Sequence, residues 1–346
     1  MTESHPAAQV MGTSPAAHLR DLVAGYLVSR AIHVAAELNL AGLLADGAQD
    51  SKALAAVVGA HAPTMYRLLR ALASVGVFEE DEAGRFTNTE LSDLLRPDVP
   101  GSLRPMARMF GSDPHWLPAG ALAHSVRTGE PAFEHVFGFH AFDYFARNPA
   151  AAKIFDEAMV SVSTLTNPAM LQAYDFSVFQ SLVDVGGGSG GALCAMLQAA
   201  PGLRGVLFDL PHAAERARRY VAEQGLVERC EIVEGNFFDS VPSGADAYFM
   251  KHIIHDWDDE RCLRLLRNCH AAMRPNGKLL VCEKVVPPGN GPSYAKISDL
   301  VMLVNTPGGR ERTEAEYREL LAEGGFRLTR VVPMQSDNSL LESVKA

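Results

Sequence analysis

The stretch Leu182-Val-Asp-Val-Gly-Gly-Gly-Ser-Gly-Gly191 decides the fold, because an apolar run breaks there into five glycines within six residues. Apolar residues up to Val185 read as a buried strand. Glycines can take positive φ and let another backbone or a ligand come close, and a helix starting near Gly190 would present unpaired N–H groups to an anion or a polar tail. Asp209 follows in Val206-Leu-Phe-Asp-Leu210, at the end of the next apolar run. There its carboxylate can accept both hydrogens of a ribose diol. Gly186, Gly188 and Gly191 also satisfy GxGxxG, so the loop by itself leaves a dinucleotide and other nucleotide cofactors open.

From this loop onward strands alternate with helices. The pattern predicts strands over 182–186, 205–210, 230–235, 245–251, 278–286, 326–334 and 339–345, and helices over 190–200, 212–224, 259–274 and 313–323. Such alternation predicts an α/β architecture with a parallel sheet covered on both faces. Ligands then bind at the carboxyl ends of the strands, where Gly186, Asp209, Asn236, Lys251 and Glu283 fall.

Upstream, residues 19–45 have helical apolar spacing, with Leu22, Leu27, Ile32, Val34, Ala35 and Leu38 expected to form a buried stripe of interface material. Helices at 51–58 and 64–74 and two short β segments at 77–79 and 84–88 give a helix, a turn, a helix and a wing. This shape invites a DNA-binding reading. However, 51–100 carries five basic residues against seven acidic ones, and the wing opens with Glu79-Glu-Asp-Glu82. Phosphate backbone would be repelled there. Between the two regions, a helical section rich in phenylalanine and methionine, with Trp116, offers helical core or a wall for a flat apolar ligand.

With 346 residues, 47% of them hydrophobic, the chain is long enough for two domains. Its net charge of −10 argues against binding nucleic acid or an anionic membrane, so the expected partner is a small molecule. Five scattered cysteines without a CxxC pair indicate neither a disulfide framework nor a zinc knuckle and fit a cytoplasmic protein. No secretory signal pattern and no run of 18 apolar residues is present.

Three further stretches share the glycine loop's half of the chain: Phe249-Met-Lys-His-Ile-Ile-His-Asp-Trp-Asp-Asp259, Gly277-Lys-Leu-Leu-Val-Cys-Glu-Lys284 and Gly308-Gly-Arg-Glu-Arg-Thr313. Taken together, the four motifs resemble those of the small-molecule O-methyltransferases that use S-adenosylmethionine, of the plant phenylpropanoid and bacterial antibiotic-tailoring type. The resemblance runs from about residue 20 to the end. It implies a Rossmann-like class I methyltransferase sheet preceded by a helical, winged-helix dimerisation domain, and a homodimer. Its boundaries are a flexible start over 1–17, the dimerisation domain over 18–100, a helical connector and substrate wall over 101–178, and the catalytic domain over 179–346.

The resemblance also assigns roles. His255, in His-Asp-Trp, is the base, since a neutral phenol attacks poorly until its proton is taken. Glu283 and Glu311 would hold its other nitrogen. Glu283 is notable without any family, because it interrupts an apolar strand where an unpartnered carboxylate is costly. On the cofactor side stand Ser163, the loop residues Gly186, Gly187, Gly188 and Gly190, then Asp209, Leu210, Asn236, Phe237 and Lys251. Asn236 replaces an aspartate common in relatives, but its oxygen can still accept a hydrogen bond. Trp116, Phe155, Met159, His252, Asp256, Met302, Leu303 and Thr306 are expected on the substrate side. Thr306 stands where plant relatives have asparagine. No metal is required by this scheme, and Asp258, Asp259 and Glu260 read as helix capping and solvation.

The expected activity is methylation of a hydroxyl on an aromatic small molecule of the phenolic or polyketide kind. The rivals are a relative that methylates nitrogen or carbon or performs another reaction, an NAD-dependent oxidoreductase, and a ligand-sensing winged-helix regulator.

Overall fold

A computed structural model describes residues 14–346, and the start of the expected flexible segment 1–17 lies outside them. Its last residues are helical, because Ser14 caps a helix over Pro15–Glu37 by accepting from the Ala17 N–H. Two compact units form: residues up to Trp116 with Pro149–Val162, and Leu117–Asn148 with Ser163–Ala346. The section expected as connector and wall is therefore shared between them.

In the first unit, strands β1 (Gln49–Asp50), β2 (Phe78–Glu80) and β3 (Arg85–Asn88) form an antiparallel sheet in the order β1-β3-β2. The wing thus has one strand more than its sequence suggested. Asp50 caps the helix Ser51–Val58 through the Lys52 and Ala53 N–H groups, and Gly59 ends it in the left-handed conformation. The second helix, Ala62–Ala73, starts earlier than expected because Pro63 fits a first turn, where its missing N–H costs nothing. Leu40, Leu54, Leu69, Leu72, Phe78 and Phe86 make the core. The expected stripe on the first helix is corrected: Ala35 is buried, but Leu22 and Leu27 lie with Leu19, Val23 and Tyr26 on a face that is 57–68% exposed.

The second unit is built on β4 (Ser181–Val185), β5 (Arg204–Asp209), β6 (Cys230–Glu234), β7 (Ala247–Lys251), β8 (Lys278–Val286), β9 (Arg312–Thr313), β10 (Phe326–Pro333) and β11 (Asn338–Lys345). The order is β10-β11-β8-β7-β4-β5-β6, with β9 beside β8. The chain runs outward from β4 through β5 to β6, then returns to the other side of β4 for β7 and β8. This reversal opens a crevice at the carboxyl end of β4. The sheet is mixed, which corrects the all-parallel expectation. β11 is antiparallel to both β8 and β10, and for the β10–β11 pair residues 334–337 are too few for the crossover that parallel neighbours require.

One face of the sheet packs Leu193, Met196, Leu197, Leu207 and Phe249, and the other packs Val185, Phe208, Met250, Leu265 and Leu279. Phe133 is buried against Phe137, Tyr144 and Phe145, so this part of the aromatic section is core. All five cysteines are buried free thiols. No described helix is long and apolar enough to cross a membrane.

Candidate active site

The glycine loop leaves β4 with Gly186 at φ +73°, Gly188 at +57° and Gly190 at +89°, all in the region that favours glycine. Gly190 is the N-cap of the helix Gly191–Ala199. A Cβ on Gly186 would lie 2.5 Å from the Ile253 side chain, so absence of a side chain lets the loop after β7 lie against the loop after β4. Around Gly188 nothing lies within 4 Å of such a Cβ, leaving room for a ligand on that face.

Asp209 sits beside this opening. Its Oδ2 accepts from the Gly188 N–H at 2.8 Å and its Oδ1 from the Leu210 N–H at 2.7 Å. A carboxylate has about four acceptor positions, so capacity for a diol remains. Beneath the loop, the buried Asp184 has an Oδ2 without a hydrogen-bond partner, and burial outweighs the nearby Lys251 to push its carboxyl up to about 7. An open glycine cradle, a half-exposed Asp209 and a helix N-terminus fit a nucleoside ligand with an amino acid tail. Asn236 is exposed, its oxygen already accepting from the Phe238 N–H at 3.0 Å, and Phe237 stands within 3.6 Å of the Gly186 Cβ position. Lys251 and Ser163 meet at 3.0 Å, but the ammonium also donates to Thr166 and Asn167. Its three donors are spent on the helix Pro149–Ala173. Lys251 acts here as a bracket for that helix.

On the other side of the crevice, His255 is 7% exposed. Its Nδ1 lies 3.2 Å from Glu311 Oε1 and 3.4 Å from Glu283 Oε2, and its Nε2 lies 3.6 Å from Asp256 Oδ1. Burial opposes the imidazolium, yet Glu283, Asp256 and Glu311 together outweigh it and carry the pKa up to about 9. The oxygen Oε1 of Glu283 accepts from the N–H groups of Ile253 and Ile254, each at 2.9 Å, and from His255 at 3.4 Å. Those bonds explain how a carboxylate survives within an apolar strand: it caps the turn that carries the histidine.

Glu311 is buried, not a solvated loop carboxylate. Ser298 donates to it at 2.7 Å and Lys284 at 3.3 Å. Burial works against its charge, but the His255 bond and the neighbouring cations prevail and hold its pKa near 2. The turn before it packs on the histidine's own backbone, since a Cβ on Gly309 would fall 2.5 Å from the His255 carbonyl oxygen.

His252 takes φ +57°, rare for a side chain of its size, and its ring stacks on His255 at 5.4 Å. Nε2 lies 3.2 Å from Asn338 Oδ1. Burial, then Lys284, His255 and Lys251, push its pKa well below the usual value, so it is neutral. Met302 and Leu303 are half-buried on the helix Tyr294–Asn305, and the Thr306 hydroxyl donates to the Met302 carbonyl at 2.8 Å, leaving its oxygen as an acceptor. Trp116, Phe155 and Met159 belong to the first unit, where Arg30 lies over Trp116 at 5.0 Å and Phe155 stacks on His115 at 6.3 Å.

Five contributors escaped the sequence reading: Asp184, Lys284, Ser298, Arg312 and Asn338. Arg312 is fully buried, donating to the carbonyls of Ile254 at 3.1 Å and Trp257 at 3.0 Å and pairing with Asp259 at 2.7 Å. Asp258 caps the helix Asp259–Ala272 as expected, accepting from the Arg261 N–H at 2.8 Å, whereas Asp259 serves as the counter-ion of Arg312. Asp184 carries the signal that marked Glu283, an acid inside an apolar strand.

Comparison with known proteins agrees with this geometry. An O-methyltransferase domain model matches residues 120–327, and an O-methyltransferase dimerisation domain model matches 20–98. The phenazine O-methyltransferase PhzM of Lysobacter antibioticus is 43% identical over 99% of both chains. The phenazine-1-carboxylate N-methyltransferase of Pseudomonas aeruginosa is 36% identical over 96% of this chain and 98% of its own. Among solved structures, the O-methyltransferase NcsB1 from neocarzinostatin biosynthesis, in complex with S-adenosylmethionine and 2-hydroxy-5-methyl naphthoic acid, superposes with a TM-score of 0.79 at 35% identity, covering 92% of this chain and 96% of that one. With its glycine cradle and carboxylate-held histidine at the strand ends, the chain belongs to the O-methyltransferase family.

Proposed function

We propose that the protein transfers a methyl group from S-adenosylmethionine to a hydroxyl of an aromatic secondary metabolite, with His255 as general base. The observation that carries this reading is the histidine's asymmetric setting: Nδ1 faces Glu311 and Glu283 within 3.4 Å, while Nε2 has Asp256 at 3.6 Å, beyond hydrogen-bond distance. Carboxylates on Nδ1 fix the tautomer and stabilise the imidazolium, which leaves Nε2 to take the acceptor's proton. S-adenosylmethionine supplies the methyl group as a sulfonium electrophile. Gly186, Gly187, Gly188 and Gly190 would hold its amino acid tail and Asp209 and Leu210 its ribose, with Asn236 and Phe237 at its base. Lys251 and Ser163 would act together by fixing the helix beside the site.

In the second unit, His252, Asp256, Met302, Leu303 and Thr306 are the substrate side in this reading, and an apolar wall suits a flat ring. Exclusion of water helps, because a phenolate and a sulfonium become two neutral groups. The uncovered apolar face of the first helix, together with the dimerisation match, supports a homodimer. Five buried free thiols suit a cytoplasmic setting, and the acidic wing disfavours nucleic acid.

The test is release of S-adenosylhomocysteine across phenolic, polyketide and amine acceptors, with and without a metal chelator, followed by product analysis. Acceptor-dependent release that survives chelation and gives an O-methyl product supports the proposal. An N-methyl product would favour the second reading, which the similarity to an N-methyltransferase keeps in view. Loss of release on chelation would remove the metal-free scheme.

A further inference from the structure

The charges around His255 are unevenly matched. Glu283 and Asp256 flank it from β8 and from its own turn, and Glu311 from the loop after the helix Tyr294–Asn305. Lys284 is the cation of this group, 3.3 Å from Glu311. His252 is stacked on it but neutral, Arg312 is committed to Asp259 and to two carbonyls, and Asp299 accepts from the Glu311 N–H at 2.9 Å. Burial pushes the Glu283 and Asp256 carboxyls up, and a charged His255 and Lys284 oppose it, so holding all three carboxylates ionised against one ammonium calls for a protonated imidazole. Two of the carboxylate oxygens, Oε2 of Glu283 and of Glu311, are buried without a formed hydrogen bond. A resting imidazolium meets that charge demand, but an imidazolium cannot act as a base.

We propose that binding of the sulfonium form of the cofactor expels a proton from His255 to solvent, so that the base is armed by the methyl donor and not by its demethylated product. The inference rests on the methyltransferase reading above. A base within hydrogen-bond reach of an oxygen aligned behind the methyl group lies about 8 Å from the sulfonium. At that separation, with an effective dielectric of about 20, a unit positive charge weakens the proton affinity of the imidazole by roughly 30-fold. The balance is simple: His255 passes from imidazolium to imidazole, one proton enters solvent, and the sulfonium replaces it as the cluster's cation. S-adenosylhomocysteine has the same amino acid and nucleoside but no sulfonium charge, so it leaves the proton in place. Because the proton is lost on binding, raising the pH strengthens S-adenosylmethionine binding relative to S-adenosylhomocysteine below the free imidazole's pKa near 9.

Isothermal titration of the intact protein with each ligand, in phosphate and in Tris at about pH 8, counts the protons directly. S-adenosylmethionine should release roughly half a proton or more per site beyond S-adenosylhomocysteine, and the affinity ratio should rise several-fold from about pH 7 to about pH 8.5. His255→Asn should abolish the difference. Glu311→Gln, which keeps an imidazole but removes a carboxylate, should shift the greatest release to lower pH. Equal proton counts for the two ligands would overturn the proposal, as would a difference that survives His255→Asn. If neither ligand binds, the functional reading itself falls, an outcome distinct from binding without proton release.

Discussion

His252 and His255 are three residues apart, the first half-buried and the second buried, with rings stacked at 5.4 Å, yet burial and neighbours drive them in opposite directions. His252 has the Asn338 hydrogen bond in its favour, but burial and the charges of Lys284, His255 and Lys251 outweigh it and drive its pKa down. His255 faces three carboxylates, and its pKa rises to about 9 in spite of burial. Proton affinity inside a protein is thus set by which neighbours stand within a few ångströms, while depth alone sets only the stakes.

The contrast can be broken most forcefully at the base. His255→Ala should lower kcat by about 10³-fold, the range of a lost general base, with S-adenosylhomocysteine affinity nearly unchanged. A variant retaining most of its turnover would refute the assignment. Arg312→Met should follow, costing about 3 kcal/mol in denaturant unfolding by leaving the Ile254 and Trp257 carbonyls on either side of His255 without their donor. An unchanged midpoint would mean that water replaces the guanidinium.

Glu311→Gln should reduce kcat/KM by roughly 10- to 100-fold and move its pH profile, because one of the charges that raise the histidine's pKa is gone. The sign is fixed. Only the imidazole form accepts a proton, so wild-type kcat/KM for S-adenosylmethionine, which reports the ligand-free enzyme, should climb up to about tenfold per pH unit and level off near 9, and the variant should level off earlier. A plateau unmoved by the substitution would take Glu311 out of the charge set. The smallest effect belongs to the other ring: His252→Asn, an amide that tolerates positive φ, should cost less than about tenfold, mostly in KM for the acceptor. A kcat loss as large as that at His255 would erase the distinction between them.

Much of this was legible in the chain because its signals are local. The glycine loop, Asp209 at the next strand end and the 28-residue spacing from His255 to Glu283 are read off neighbouring residues. Glu283 could be suspected because an acid in an apolar strand demands partners. The same reasoning would have reached Asp184. What the sequence hid depends on closure over long separations: Glu311 becomes buried, and Arg312 becomes a clamp, only once the 306–313 segment folds over the histidine's turn. The antiparallel β11 was open to a length argument, since residues 334–337 cannot hold a crossover helix. Exposure of Leu22 and Leu27 could not be read from periodicity, which identifies an apolar face without saying what covers it.

The five buried thiols have a practical consequence. Burial raises the pKa of each, to about 11 for Cys194 and about 12 for Cys230, Cys262, Cys269 and Cys282. A protonated, shielded sulfur reacts slowly with alkylating reagents. All five belong to the second unit, so the native protein is silent to such reagents and each modification event timestamps an opening of that unit. The chain therefore carries its own unfolding clock, readable by mass spectrometry without any engineered probe.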